Sequence, residues 1–360
     1  LLLVLAPSAA RECAAMTSEL AERRRGRTLT MFVAAGALAL IAAVTVGIEM
    51  RSSSPNAASG PVVPGLEETI SGAQRVTIVS REATYRIERT QRGWAMRDRD
   101  DYPVLPARLA QLTEGLEGLR YSRRMTSDPS KHERLGVTDP RQGGRGILVQ
   151  IEDGRGALLV NLILGVETNG LYVRQPDNDQ TWAAEGELPP LRDVASWMAL
   201  QPLNVPADRF ARVEIMPSEG RAYIVARDAA DQPWRIAAPA LAGVPQMVEG
   251  VAIHLTQLTP NDVRTAPAIQ GAPRARVRAH TFDGVIIDAE LIESDGRTWV
   301  KMVARAEMPE QEPAALAINN ESAAWAYALT SEDAAALAPP LTAIVPQAAP
   351  PPPRAPQPPL

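Results

Sequence analysis

Cysteine is almost absent from this chain of 360 residues: Cys13 is the single one, so no intramolecular disulfide can hold the fold. Its neighbours Ala10-Arg11-Glu12 are not the small apolar residues a lipoprotein cleavage site wants. Lysine is as scarce, with Lys131 and Lys301 alone, and the net charge is −5. That balance leaves no basic excess to neutralise a nucleic-acid backbone, and no nucleic-acid partner is expected. Histidine occurs three times, at His132, His254 and His280, far apart in sequence and without the spacing of a metal site.

The motifs that carry chemistry are missing as well. No Gly-x-Ser-x-Gly elbow occurs, and no Ser-x-x-Lys opens a helix. Gly143, Gly144 and Gly146 precede a strand, whereas a phosphate loop needs a helix start to aim its amides. Asp98, Asp100 and Asp101 lack the glycine and distal glutamate of a calcium loop, and read as a solvated turn. The sequence therefore offers no catalytic, cofactor-binding or metal residue. The expectation is a protein that is not an enzyme and carries no cofactor.

What is present is first a membrane signal. Leu29 to Ile48 is an uncharged run of 20 residues behind Arg23, Arg24, Arg25 and Arg27. As a helix it extends about 30 Å, the thickness of a bilayer's hydrocarbon core. The positive-inside rule puts residues 1–28 in the cytoplasm, 29–48 across the membrane and the rest outside. The predicted location is the bacterial inner membrane, single-pass, with the bulk periplasmic. Residues 1–15 read as an upstream extension or start-site artefact, with Met16 the more natural start.

Second, the chain repeats itself. Leu109, Leu112, Leu116, Leu119 and Val248, Val251, Leu255, Leu258 share a 3-4-3 spacing of apolar residues, the signature of a buried helix face. Strand-like runs precede both, Val76-Thr77-Ile78 with Tyr85 and Trp94, then Val213-Glu214-Ile215 with Tyr223 and Trp234. Turns follow both, Asp153-Gly154 and Asn169-Gly170 against Asp283-Gly284 and Asp295-Gly296. Each copy closes on another tryptophan, Trp197 or Trp325. The predicted fold class is α+β: two repeated modules of antiparallel sheet with a packed helix, 73–200 and 201–337. A flexible Ser/Pro/Gly-rich linker covers 49–72, and Ala323 to Leu337 reads as a helix. The tail 338–360 has ten prolines from Pro339 on and reads as disordered or polyproline-like.

Several short motifs resemble the domain-of-unknown-function family 4340. They are Leu135-Gly136-Val137-Thr138-Asp139-Pro140, Leu164-Gly165, Leu171-Tyr172-Val173-Arg174, and Trp325-Ala326-Tyr327-Ala328-Leu329. The likeness is strongest over Val76 to Val225. It implies an accessory or scaffold subunit on the outer side of the inner membrane, beside an ABC-type export system related to gliding-motility transporters. It implies no catalytic residue. A periplasmic small-molecule-binding protein using the cleft between the modules is the alternative, and an envelope hydrolase a more distant one.

Overall fold

The computed structural model describes residues 60–167 and 170–346. The run 29–48 lies outside them, and among the described residues no helix is long and apolar enough to cross a membrane. The first module runs β1 (Gly60–Pro61), α1 (Leu66–Thr69), β2 (Ala73–Val79), β3 (Thr84–Thr90), β4 (Gly93–Met96), β5 (Tyr102–Pro103), α2 (Pro106–Gly118), β6 (Arg120–Arg124), β7 (Ile147–Asp153), β8 (Leu158–Glu167), β9 (Gly170–Arg174) and β10 (Trp182–Glu185). The second runs β11 (Phe210–Pro217), β12 (Tyr223–Ala226), β13 (Arg235–Ala238), α3 (Pro245–His254), β14 (Asp262–Thr265), β15 (Pro273–Thr281), β16 (Val285–Ser294), β17 (Arg297–Ala306), α4 (Glu312–Ser322), β18 (Trp325–Leu329), α5 (Ser331–Leu337) and α6 (Leu341–Ile344).

Strand order shows the duplication directly. One sheet contains the series β6-β10-β9-β8-β7-β2-β3-β4, and the other reads β14-β18-β17-β16-β15-β11-β12-β13. Each strand has its counterpart at the same place, and α2 and α3 fall at matching points of the chain. The helices bury the striped faces read from the sequence. Leu112, Leu116 and Leu119 are fully buried, as nearly are Val248, Val251 and Leu255. Pro106 and Pro245 each open their helix, where a missing N–H costs nothing. Alternation along β7 sends Ile147, Val149 and Ile151 into the main core, which continues through both modules.

Several expectations change. Trp197 has no counterpart in Trp325; the equivalent pair is Trp182 and Trp325. Each opens its strand and faces the last residue of the neighbouring one, Arg124 or Thr265. Ala323 to Leu337 is not one helix, because Trp325–Leu329 pairs with β14 and β17 as a strand before α5 begins. Local helix propensity yields there to the pairing of a preformed sheet edge. The linker read over 49–72 ends earlier. Gly60 and Pro61 pair with β6, and Val62 and Leu66 enter the core.

The tail read as starting at 338 begins too soon, since 338–346 is the second copy of a closing segment. Pro189-Pro190-Leu191 recurs as Pro339-Pro340-Leu341. The buried Tyr85 hydroxyl donates to the carbonyl of Leu191 at 2.8 Å, and its counterpart Tyr223 donates to that of Pro339, also at 2.8 Å. Just before each helix, Leu105 N–H donates to Trp197 O and Val244 N–H to Ile344 O. Averaging composition over the proline-rich stretch hid Ile344, which is 1% exposed.

The modules meet at a packed junction. Arg99 forms an ion pair with the buried Asp262, which also holds Arg297 at 2.8 Å. Asp100 accepts from the N–H and hydroxyl of Thr265, and Arg264 donates to the carbonyl of Asp98. Tyr102 packs edge-on against Trp325 and Tyr327, with ring centroids 4.8 and 6.2 Å away. Asp98 and Asp100 of the acidic triplet thus also reach the seam between modules, while Asp101 is exposed as expected of a solvated turn and pairs with Arg97. These side chains fill the place where the sequence suggested a ligand cleft.

Candidate functional site

The two sheets differ in what covers the face away from the core. In the second module the short connection from β14 to β15 lays Ile269 on the outward Ile292, Trp299, Ala326 and Ala328. Helix α4 packs on the core side of β17, where Asn319 pairs with both the N–H and the carbonyl of Ala304. In the first, the longer connection from β6 to β7 folds over the outer face. Its Leu135 and Val137 pack on Leu148, Ile163 and Tyr172, the outward residues of β7, β8 and β9. This connection contains the Leu135–Pro140 motif.

Glycine permits the close approach. A Cβ on Gly165 would sit 2.1 Å from the Leu135 carbonyl oxygen, and one on Gly146 would sit 2.5 Å from that of Thr138. Neither contact involves a movable side chain, so only glycine fits. Asp139 then shapes the turn. Its carboxylate accepts from the Arg141 backbone N–H at 2.9 Å and from that guanidinium, closest at 2.7 Å. Those Arg141 hydrogen bonds hold the Asp139 carboxyl below the ordinary carboxylate range despite partial burial. Thr138 Oγ1 accepts from Arg145 N–H at 2.9 Å.

Over this framework opens a polar cavity of about 530 Å³, lined among others by Arg81, His132, Glu133, Thr138, Asp139 and Arg174. Gly143 and Gly144 line it too, so the glycines that failed as a phosphate loop do contribute to a cavity wall. Arg174, the last residue of β9, is only 7% exposed. Its Nε donates to Val137 O at 2.8 Å, and Nη1 donates to the carbonyls of Gln175 and Pro176 at 3.1 and 3.0 Å. Burial lowers its pKa from the usual guanidinium value, while Asp139 and Asp179 act only through space. His132 is buried beside it and bonds through Nε2 to the Asp179 carbonyl at 2.8 Å.

The remaining histidines lie elsewhere. His254 approaches Asp333 at 3.4 Å, and His280 sits between Glu214 and Glu307 at 3.3 and 3.2 Å. Among the described residues no group of three or more His, Cys, Asp or Glu is placed to hold a metal ion. Sequence reasoning quoted Thr138, Asp139 and Arg174 as motif letters without assigning them a role. Their convergence on one cavity is the signal it lacked. Arg81, in the turn between β2 and β3, carries no motif and was not legible.

Fold and cavity define a duplicated α+β protein whose first module has its outer face covered by the longer connection, from β6 to β7. Residues 94–267 match the family model described as Domain of unknown function (DUF4340). The match starts in β4 and ends just beyond β14, so it crosses the seam, and the Arg99–Asp262 and Arg264–Asp98 contacts join its two ends. No curated protein and no solved structure matches the chain.

Proposed function

We propose that the protein is a membrane-anchored accessory or scaffold subunit of the bacterial envelope. Residues 29–48 hold it in the inner membrane, both modules stand on the periplasmic side, and the partner is a protein of an ABC-type transport system. The membrane part of this reading is supported by the uncharged run behind four arginines. The observation that carries the partner part is a groove of about 440 Å³ between β17 and α4, flanked by Met308 and Leu316. These side chains are 57% and 53% exposed and line one groove together, the kind of apolar surface a protein partner covers. Helix α4 has no counterpart in the first module, where a turn joins β9 to β10. A duplicated framework has thus gained one apolar surface on one copy.

Affinity purification of the full tagged chain in mild detergent tests the reading. An envelope or membrane protein should be enriched over an untagged control, and Leu316→Asp should release it while leaving the fold intact. Enrichment of no such protein would sink the proposal. The alternative of a small molecule held between the modules finds no support at the seam, which Tyr102, Trp325 and Tyr327 occupy.

A further inference from the structure

We propose that the cavity on the outer face of the first module binds a compact oxyanion, a phosphoryl or carboxylate group, between Arg174 and Arg81. The argument begins with how this chain treats buried charge. Asp262, 6% exposed, is met by Arg99 and Arg297. Asp333, 7% exposed, is met by His254 and by the hydroxyl and N–H of Thr259. Arg174 is equally buried, yet among the described residues it meets only the neutral carbonyls of Val137, Gln175 and Pro176 and no ion-pairing carboxylate. A guanidinium taken out of water is ordinarily compensated by an opposite charge. Carbonyl dipoles satisfy its N–H groups without neutralising it.

The neighbouring carboxylates Asp139, Asp177 and Asp179 act on Arg174 through space and not by contact. Asp139 is occupied by Arg141, closest at 2.7 Å. Glu133 and Asp179 are exposed at the cavity's wall and make no ion pair with Arg174. Facing the cavity from the β2–β3 turn is Arg81, exposed and without a hydrogen-bond or ion-pair partner among the described residues. One buried and one unengaged guanidinium on opposite elements form the two-sided donor set that carboxylate and phosphate geometry suits. The acidic wall residues keep the cavity from being a general anion sink and favour a small anion carrying hydroxyl groups. This inference is independent of the protein-partner reading.

The test uses the full chain in mild detergent, with inorganic phosphate and sodium acetate as separate probes and sodium chloride at matched ionic strength as control. Thermal unfolding should rise saturably with one probe and not with chloride, and the responding probe tells phosphoryl from carboxylate chemistry. Arg81→Gln should leave the unfolding temperature without probe unchanged and weaken the response about tenfold or more, as expected for a lost charge-assisted contact. Arg174→Gln should abolish it. Because Arg174 also anchors the covering connection, the Arg81 variant decides the matter. No saturable response to either probe, or an equal response from parent and Arg81→Gln, would overturn the proposal.

Discussion

Removing residues 338–360 should cost far more than a dispensable tail would. Ile344 is 1% exposed, and its burial contributes about 2–3 kcal/mol. The Tyr223 hydroxyl loses its acceptor, the carbonyl of Pro339, and the Val244 N–H loses Ile344 O. Each such hydrogen bond contributes about 1 kcal/mol net. The sum is about 4 kcal/mol, a large share of a domain's stability of about 5–15 kcal/mol. For a unit of this size that corresponds to a fall of about 10 °C in the unfolding temperature. The comparison needs two truncations of the full chain, one ending at Pro346 and one at Leu337, followed by calorimetry. The first should unfold with the parent and the second well below it. Ile344→Ala, with the chain length intact, should lose about 3 kcal/mol by itself. If both truncations unfold together, the closing segment does not stabilise the second module and the repeat ends at α5.

Gly165→Ala should destabilise the first module by several kcal/mol, about 3 or more, because its Cβ meets the Leu135 carbonyl at 2.1 Å. A chemical-denaturation curve matching the parent would refute the close approach. Asp262→Asn should cost about 3 kcal/mol by leaving Arg99 without its counter-charge at the seam, and limited proteolysis should then cut between the modules. Resistance equal to the parent would mean that Tyr102 and Trp325 hold the seam unaided. The pH dependence follows from Asp139, whose folded pKa is depressed by Arg141. Its contribution is fully present above the ordinary carboxylate range and is lost as pH falls through the lower folded value. Arg141→Gln should therefore flatten the acid limb of a stability–pH curve below about pH 4, and an unaltered limb would remove Asp139 as its source.

Much of the architecture was legible because it is periodic. The leucine and valine stripes need only a 3.6-residue repeat to declare a buried helix face, and the helices bury Leu112 and Leu116 in one copy and Val248 and Val251 in the other. Asp153-Gly154, Asp283-Gly284 and Asp295-Gly296 do join paired strands. Tyr85 and Tyr223 were visible as matched letters, although their shared task, latching a closing segment, required the carbonyls of Leu191 and Pro339 to be in place. The cavity was less legible. Thr138, Asp139 and Arg174 stand up to 36 positions apart in sequence, and Arg81 belongs to a hairpin more distant still.

By itself, then, the sequence determined that the chain is duplicated, that each copy is a sheet with a packed helix, and that residues 29–48 are an uncharged apolar run. Local periodicity and turn chemistry suffice for those conclusions, since each depends on residues close together in the chain. Tertiary structure decided which tryptophans correspond, where the second module ends, that Asp98, Arg99 and Asp100 reach the seam, and that a buried arginine faces a cavity. Each of these depends on which distant strands pair and on what a segment touches once folded, and no window of sequence contains that information.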